Sequence, residues 1–352
     1  VDEASVPMSN RAGEMFAEAM DQWDEAKADV AVAGLSRTVG ANQVFELFAR
    51  YGARDFRSIG HKAIFVANSY RTLQCIGWHH AEPVLRSLAY ALLNHRGSPN
   101  PATNDLDADR PWRKNLVRAN TIRADWLSGS IDAGATEQLI DAFRSGSADE
   151  LCEQAIEMLN AGVSPQSIYD AVFLAAGELL IRKPGIVALH AVTSTNALRY
   201  AFKTVTNDNT RRMLLLQNVA FLPMFRAEMG DSDITGKEIN HLAASTGDAD
   251  AKSLETIFRD VSADPQSAAR QTLGYLQSDG KAEEFMTAAR RLIFLKGTNS
   301  HDYKFSSAIL EDFYQVSPPW RDRYLASSVF QLRGSQAKDN GLIQRIRSAI
   351  GT

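Results

Sequence analysis

Residues 164–182 read SPQSIYDAVFLAAGELLIR. Ile168, Ala171, Val172, Ala175, Ala176 and Leu179 recur three and four positions apart, the spacing of one helix face. Ser164 followed by Pro165 supplies a capping hydroxyl and a first-turn proline. The same grammar extends outward. Asp264-Pro265 precedes Gln266 in the same way, and apolar residues step helically through Val44, Phe45, Leu47 and Phe48 and through Leu139, Ile140 and Phe143. Period-two runs of Val, Ile, Thr and aromatics bounded by turn pairs are nearly absent, so the expected class is all-α. The least regular stretch, Asn94 to Arg110, is rich in Pro, Asn and Asp and reads as a long surface loop, the best boundary between an N-terminal section and the rest.

Composition narrows function by exclusion. The 352 residues are 45% hydrophobic and 23% charged, with 38 basic against 42 acidic side chains and a net charge of −4. A balance so near neutrality argues against nucleic acid or anionic membrane as a partner. No apolar run of 18 residues offers a membrane span. Two cysteines, Cys75 and Cys152, are too few for a zinc module or a disulfide scaffold and fit a reducing cytoplasm. The chain opens on Val1, as a processed or trimmed product would; a cleaved export signal would leave no trace in it.

An internal repeat carries more information. Phe143-Arg144-x-x-Ser147-Ala148-Asp149 recurs as Phe258-Arg259-x-x-Ser262-Ala263-Asp264, an offset of 115 residues, and each copy leads on to a histidine at a helix start, His190 and His301. His61 occupies a similar place upstream. An arginine follows each histidine, Arg86 25 residues on, Arg212 22 and Arg323 22. The expected organisation is a helical extension over 1–40 and one all-α domain over 41–352. That domain comprises three degenerate units, about 41–131, 132–245 and 246–352, packed around a central histidine-lined site.

One histidine per unit, brought to a common axis, is how helix bundles build metal centres. Imidazole suits iron, zinc, copper or nickel. His61, His190 and His301 are the matched set, and His79 or His80 would add a fourth nitrogen. Lys304 lies three residues after His301 on the same helix face. Trp78, Phe65 and Tyr70 are near in sequence and would line an apolar pocket; Arg86, Arg199 and Arg212 would hold an acidic or enolate oxygen of a substrate. Each feature has a plainer reading: helix histidines are often core residues, the doublet a helix start, Lys304 a solvated lysine, and the arginines structural partners of carbonyls and acids. His95 and His241 fall outside the pattern and read as surface residues.

Other site types lack motifs. There is no Gly-x-Gly-x-x-Gly after a strand, no phosphate loop, no Gly-x-Ser-x-Gly elbow, and no His-Glu-x-x-His or Glu-x-x-His pair. Cys75 and Cys152 both read as core, with no base beside them.

Gly60-His61 opening an apolar helix, His79-His80 on the next, Leu189-His190-Ala191-Val192-Thr193-Ser194 and His301-x-x-Lys304 together resemble the questin oxidase-like family, over about residues 40–332. The resemblance implies an all-helical enzyme of aromatic breakdown, similar in one branch to a mononuclear non-haem iron oxygenase. It implies His61, His80 (or His79), His190 and His301 as ligands and Lys304 as a carboxylated lysine. The family opening Gly-His-Pro is Gly60-His61-Lys62 here. Four neutral imidazoles leave the cation's charge unbalanced, so an anion is expected to help: carboxylated Lys304, Glu82 or a substrate oxygen.

Three functions follow as expectations. The first is an Fe(II)-dependent oxygenase acting with O2 on an aromatic or quinone-like small molecule. The second is a zinc hydrolase using the same histidines. The third is a non-catalytic helical-repeat binding module.

Overall fold

A computed structural model describes residues 1–230, 237–245, 253–278 and 280–351. Among them are seventeen α-helices, short 3-10 turns and no strand; Ser130 and Val163 form one isolated parallel bridge. The all-α expectation holds.

In chain order, the first five helices are α1 (Ser9–Gln22), α2 (Glu25–Thr38), α3 (Ala41–Gly52), α4 (Arg57–Ile76) and α5 (Ala81–Leu93). A short α6 (Arg110–Arg118) follows. The next five are α7 (Ala133–Phe143), α8 (Ala148–Asn160), α9 (Pro165–Arg182), α10 (Ile186–Thr204) and α11 (Asp208–Glu228). The last group is α12 (Leu254–Ala263), α13 (Pro265–Leu276), α14 (Ala282–Lys296), α15 (Ser300–Asp312) and α16 (Pro318–Ser327), with α17 (Gly341–Ile350) at the end. Counted this way, His61, His190 and His301 all lie near the start of the fourth helix of a five-helix run. Arg86, Arg212 and Arg323 all lie on the fifth.

By internal packing the chain divides into two compact units, one of Val1–Ser130, Ser145–Pro165 and Ala197–Met224, the other of Ile131–Arg144, Gln166–Asn196 and Phe225–Thr352. In the first, α1 and α2 lie together, α2 also meets α5, and α4 rests on α3 and α5. The first forty residues are part of this core: Phe16 packs against Phe48, ring centroids 4.8 Å apart and tilted, and meets Tyr51 edge-on at 5.7 Å. Asn94 to Asp109 is indeed free of α-helix, but both of its flanks belong to this one unit. Its far end is tied back, with the Phe56 N–H donating to the Ala108 carbonyl at 3.1 Å. In the second unit α12 packs on α13, α13 on α16, and α14 on α15.

Local chemistry sets the helix starts. Ser147 and Glu150 form a reciprocal capping box on α8, Asp132 caps α7, and Asp264 caps α13 with Pro265 in the first turn. The repeated motif therefore does not sit at equivalent helix positions. Phe143 ends α7 while Phe258 is interior to α12, and the caps are Ser147 in one copy and Asp264 in the other. The order of helices is shared; the residue register slips. The α9 stretch departs from a one-faced helix, because Tyr169, Phe173, Leu174 and Leu180 are buried along with the expected stripe. A helix apolar all round is a core helix.

Candidate metal centre

His61 is positioned by an unusual backbone. Ser58, Ile59 and Gly60 all adopt left-handed conformations, with φ of 53°, 49° and 74°, so regular helix begins at His61 itself. Glycine accepts this; for Ser58 and the β-branched Ile59 it costs about 1–2 kcal/mol each. Strain of that kind persists only where surrounding structure enforces it, and it collects at functional sites. The turn brings the Ser58 carbonyl against His61 Nδ1.

The enforcing structure is a buried ionic cluster. Lys62 donates to Asp55 Oδ2 at 2.8 Å and to the Leu92 carbonyl at 2.7 Å. Burial pulls its pKa down to about 8, against the opposing pull of Asp55. Arg57 makes a two-pronged pair with Asp109 at 2.6 Å. The Trp23 ring lies under Arg54 at 3.7 Å, Lys62 at 4.6 Å and Arg57 at 4.9 Å.

His190 sits on α10 and is 1% exposed. Its Nδ1 meets the Ile186 carbonyl one turn back at 2.6 Å. A neutral imidazole that donates from Nδ1 to a carbonyl carries its lone pair on Nε2. This backbone anchoring of one ring nitrogen orients imidazole ligands in metal sites. His301 is held by the first turn of α15. Asn299 caps its N–H at 2.9 Å, and Asp302 accepts from the Thr298 N–H and from Arg333 Nη2, both at 2.8 Å. Burial alone would raise the Asp302 pKa; Arg333 and the Thr298 N–H outweigh it and hold the carboxyl below its ordinary value. The His190 and His301 rings meet edge-on, centroids 5.3 Å apart.

Each of His61, His190 and His301 offers one ring nitrogen, and the three nitrogens all lie within 4.8 Å of one another. Three imidazoles on one ion at about 2.1 Å place their nitrogens roughly 3.0–3.4 Å apart. Their chemistry fits a borderline divalent ion such as iron or zinc.

The other expected residues are placed as follows. His79 and His80 are exposed in a 3-10 turn, rings 4.0 Å apart, and lie outside this group. Lys304 is one turn beyond His301, its Nζ shielded from solvent. Glu82 is not positioned as the balancing anion, since it accepts from Arg37 Nε at 2.8 Å and Nη2 at 3.1 Å.

The expected arginines and Tyr70 already have partners within the protein. Arg86 forms a two-pronged pair with Asp29 at 2.7 and 2.8 Å. Arg212 bonds Asp208 at 2.6 Å and the carbonyls of Ala119, Ile122 and Arg123 at 3.0, 2.5 and 3.1 Å. These are the structural roles that compete with substrate binding. Tyr70 donates its hydroxyl to Asn42 and stacks on Phe45 at 4.1 Å. Arg199 stands over Phe202 at 5.3 Å, and at nine residues from His190 it is half a turn out of phase along the helix. Trp78 is half-buried and opens the 3-10 turn. Of the two histidines outside the pattern, His241 is 71% exposed beside Glu238. His95 is instead half-buried, packed edge-on against Trp23 at 5.4 Å.

The Phe65 ring lies 5.5 Å from that of His61. It ends a groove of about 580 Å³ between α4 and α5, lined by Asn68, Ser69, Thr72, Val84, Ser87 and Leu88 among others. No charged side chain lines it. Phe65, Asn68, Ser69 and Thr72 follow His61 at helical spacing, a signal present in the sequence once His61 is chosen as the origin. The carbonyl partners at Ser58 and Ile186 have no such signal, because any residue type supplies a carbonyl.

No protein-family model, no curated protein and no solved structure matches the chain.

Proposed function

We propose that His61, His190 and His301 hold one divalent transition-metal ion. We further propose that the chain is a metal-dependent oxygenase, with iron as the metal, acting oxidatively on an aromatic or quinone-like small molecule. The convergence of three histidines from three separate helices carries the first part. The resemblance of the histidine-bearing segments to the questin oxidase-like family supports the second. Bound iron would supply the redox chemistry by which O2 oxidises an organic substrate.

The chain's own residues supply the rest. The Ser58 and Ile186 carbonyls hold the His61 and His190 rings through Nδ1, which directs Nε2 of each toward the ion. Three neutral imidazoles leave the ion's charge uncompensated, so an anion completes the set; Lys304, carboxylated at Nζ, is the protein group on the correct helix face. The α4–α5 groove would hold the substrate against Phe65, with its hydroxyls and the Asn68 amide meeting substrate oxygens. A groove without charged lining suits an uncharged substrate better than an acid.

A three-histidine set is also one that catalytic zinc uses, so a zinc hydrolase is the second reading. Anaerobic reconstitution with Fe(II), then oxygen uptake with hydroxylated aromatics, separates the two. Iron-dependent uptake that is absent with Zn(II) is the expected outcome. Metal far below one equivalent in purified protein, with no gain on adding Fe(II), overturns the metal reading altogether.

A further inference from the structure

The helix α17, sequence GLIQRIRSAI, has no buried residue. It nevertheless has an apolar stripe. Leu342, Ile346 and Ile350 recur every fourth position and are 57%, 45% and 67% exposed. Arg345 and Arg347 flank that stripe, and the helix carries no acid. A ten-residue helix with no buried residue is marginal in water, so its apolar face calls for a partner surface.

The same unit carries a matching surface. A groove of about 710 Å³ runs between α12 and α14, with Leu254, Phe258, Ala288, Leu292 and Leu295 in its floor. Its charged lining is Glu255, Glu283, Glu284 and Arg291, acidic on balance. From Glu283 to Leu295 the α14 wall is roughly 18 Å long, and a ten-residue helix is roughly 15 Å. Length, apolarity and sign of charge all fit α17.

The start of the chain's own α17 is tethered to the end of α14. The Asn340 N–H donates to the Leu295 carbonyl and its Nδ2 to the Phe294 carbonyl, both at 2.8 Å. Asn340 Oδ1 caps the Leu342 and Ile343 N–H groups at 3.1 Å. Lys296 Nζ meets Asp339 at 3.0 Å and also bonds the Ala337 carbonyl. The helix thus starts at the C-terminal end of α14, and none of its residues is buried there.

We propose that α17 of a second copy of this chain occupies the α12–α14 groove, and that reciprocal exchange of the two helices closes a two-fold homodimer. Exchange is self-complementary, each copy giving one helix and taking one, so the assembly closes without forming fibres. Arg345 of one copy, and Arg347 on leaving its own-chain partner Asp339, then face Glu283, Glu284 and Glu255 of the other, where charges set specificity and association rate.

Sedimentation velocity of the full chain at micromolar concentration tests this. Wild type is expected at about twice 38.7 kDa. Ile346→Glu is expected to run as a monomer with unchanged helicity, since Ile346 is exposed. Combining Arg345→Glu with Arg347→Glu should weaken association about tenfold, and adding Glu283→Lys with Glu284→Lys should restore it. In a Cys75→Ser background, Ala288→Cys with Ile346→Cys should oxidise to a covalent dimer. A monomeric wild type, a dimer indifferent to Ile346→Glu, or an Ala288–Ile346 crosslink formed within one chain would each overturn the proposal.

Discussion

Two places in the molecule begin alike and end differently. Gly60-His61 and Gly77-Trp78-His79-His80 both put histidines after a glycine with positive φ, 74° and 99°, at the start of a helical segment. At the first, the ring is half-buried, held through Nδ1 by the Ser58 carbonyl, and beside an ionic cluster that fixes the backbone. At the second, the rings stack on each other at 4.0 Å and face solvent. What sets the two apart is not residue type or helix position. It is whether surrounding structure immobilises the ring with one nitrogen directed inward.

That difference is open to attack, beginning with the largest effect. His61→Ala should abolish stoichiometric metal after dialysis, whereas the His79→Ala, His80→Ala double variant should retain it, as measured by elemental analysis. If the doublet variant loses metal as fully as His61→Ala, the distinction fails.

Next in size is the support beneath each turn. Lys62→Met leaves Asp55 buried, with Arg57 at 3.5 Å and Arg54 at 3.9 Å as its remaining cations. Removing one member of a buried ion pair costs about 3 kcal/mol, read by denaturant unfolding. Glu82→Gln, beside the doublet, touches a partly exposed pair with Arg37 and should cost roughly 0.5 kcal/mol.

Smaller again are the glycines. Gly60→Ala and Gly77→Ala each force an L-residue into a left-handed or otherwise strained backbone, at about 1–2 kcal/mol. At Gly77 an added Cβ would also lie 2.7 Å from the His79 ring. Only Gly60→Ala should weaken metal affinity as well as stability, a split visible by comparing metal titration with thermal unfolding.

The smallest effect needs no mutation. Cys75, two residues before Gly77, is exposed, whereas Cys152 is buried and its thiol pushed up to about 12 by desolvation. A thiol reagent at pH 8 should label one cysteine per folded chain and two after unfolding.

Much of the fold was legible because helix signals are local. Pro165 and Asp264-Pro265 mark the starts of α9 and α13 from neighbouring residues alone. His190 and His301 were legible as a related pair, because helix order survives divergence even where the Phe143 and Phe258 registers slip. The support of His61 was not. Trp23 and Asp109 stand far from it in sequence, and nothing local announces that Lys62 is buried rather than solvated. The partners of Arg212 were hidden for the same reason. Its partners are backbone carbonyls at 119, 122 and 123, which carry no residue signature. The left-handed Ser58 and Ile59 run against residue preference, and only long-range packing can impose them.

The central claim is that three histidines from three helices share one ion. X-ray absorption at the metal edge of Fe(II)- or Co(II)-loaded protein counts imidazoles directly. The account predicts nitrogen or oxygen neighbours at about 2.1 Å with outer-shell scattering from three imidazole rings, reduced to two in His190→Ala. A spectrum with two rings in wild type that is unchanged in His190→Ala, as binding at the His79-His80 doublet would produce, contradicts it.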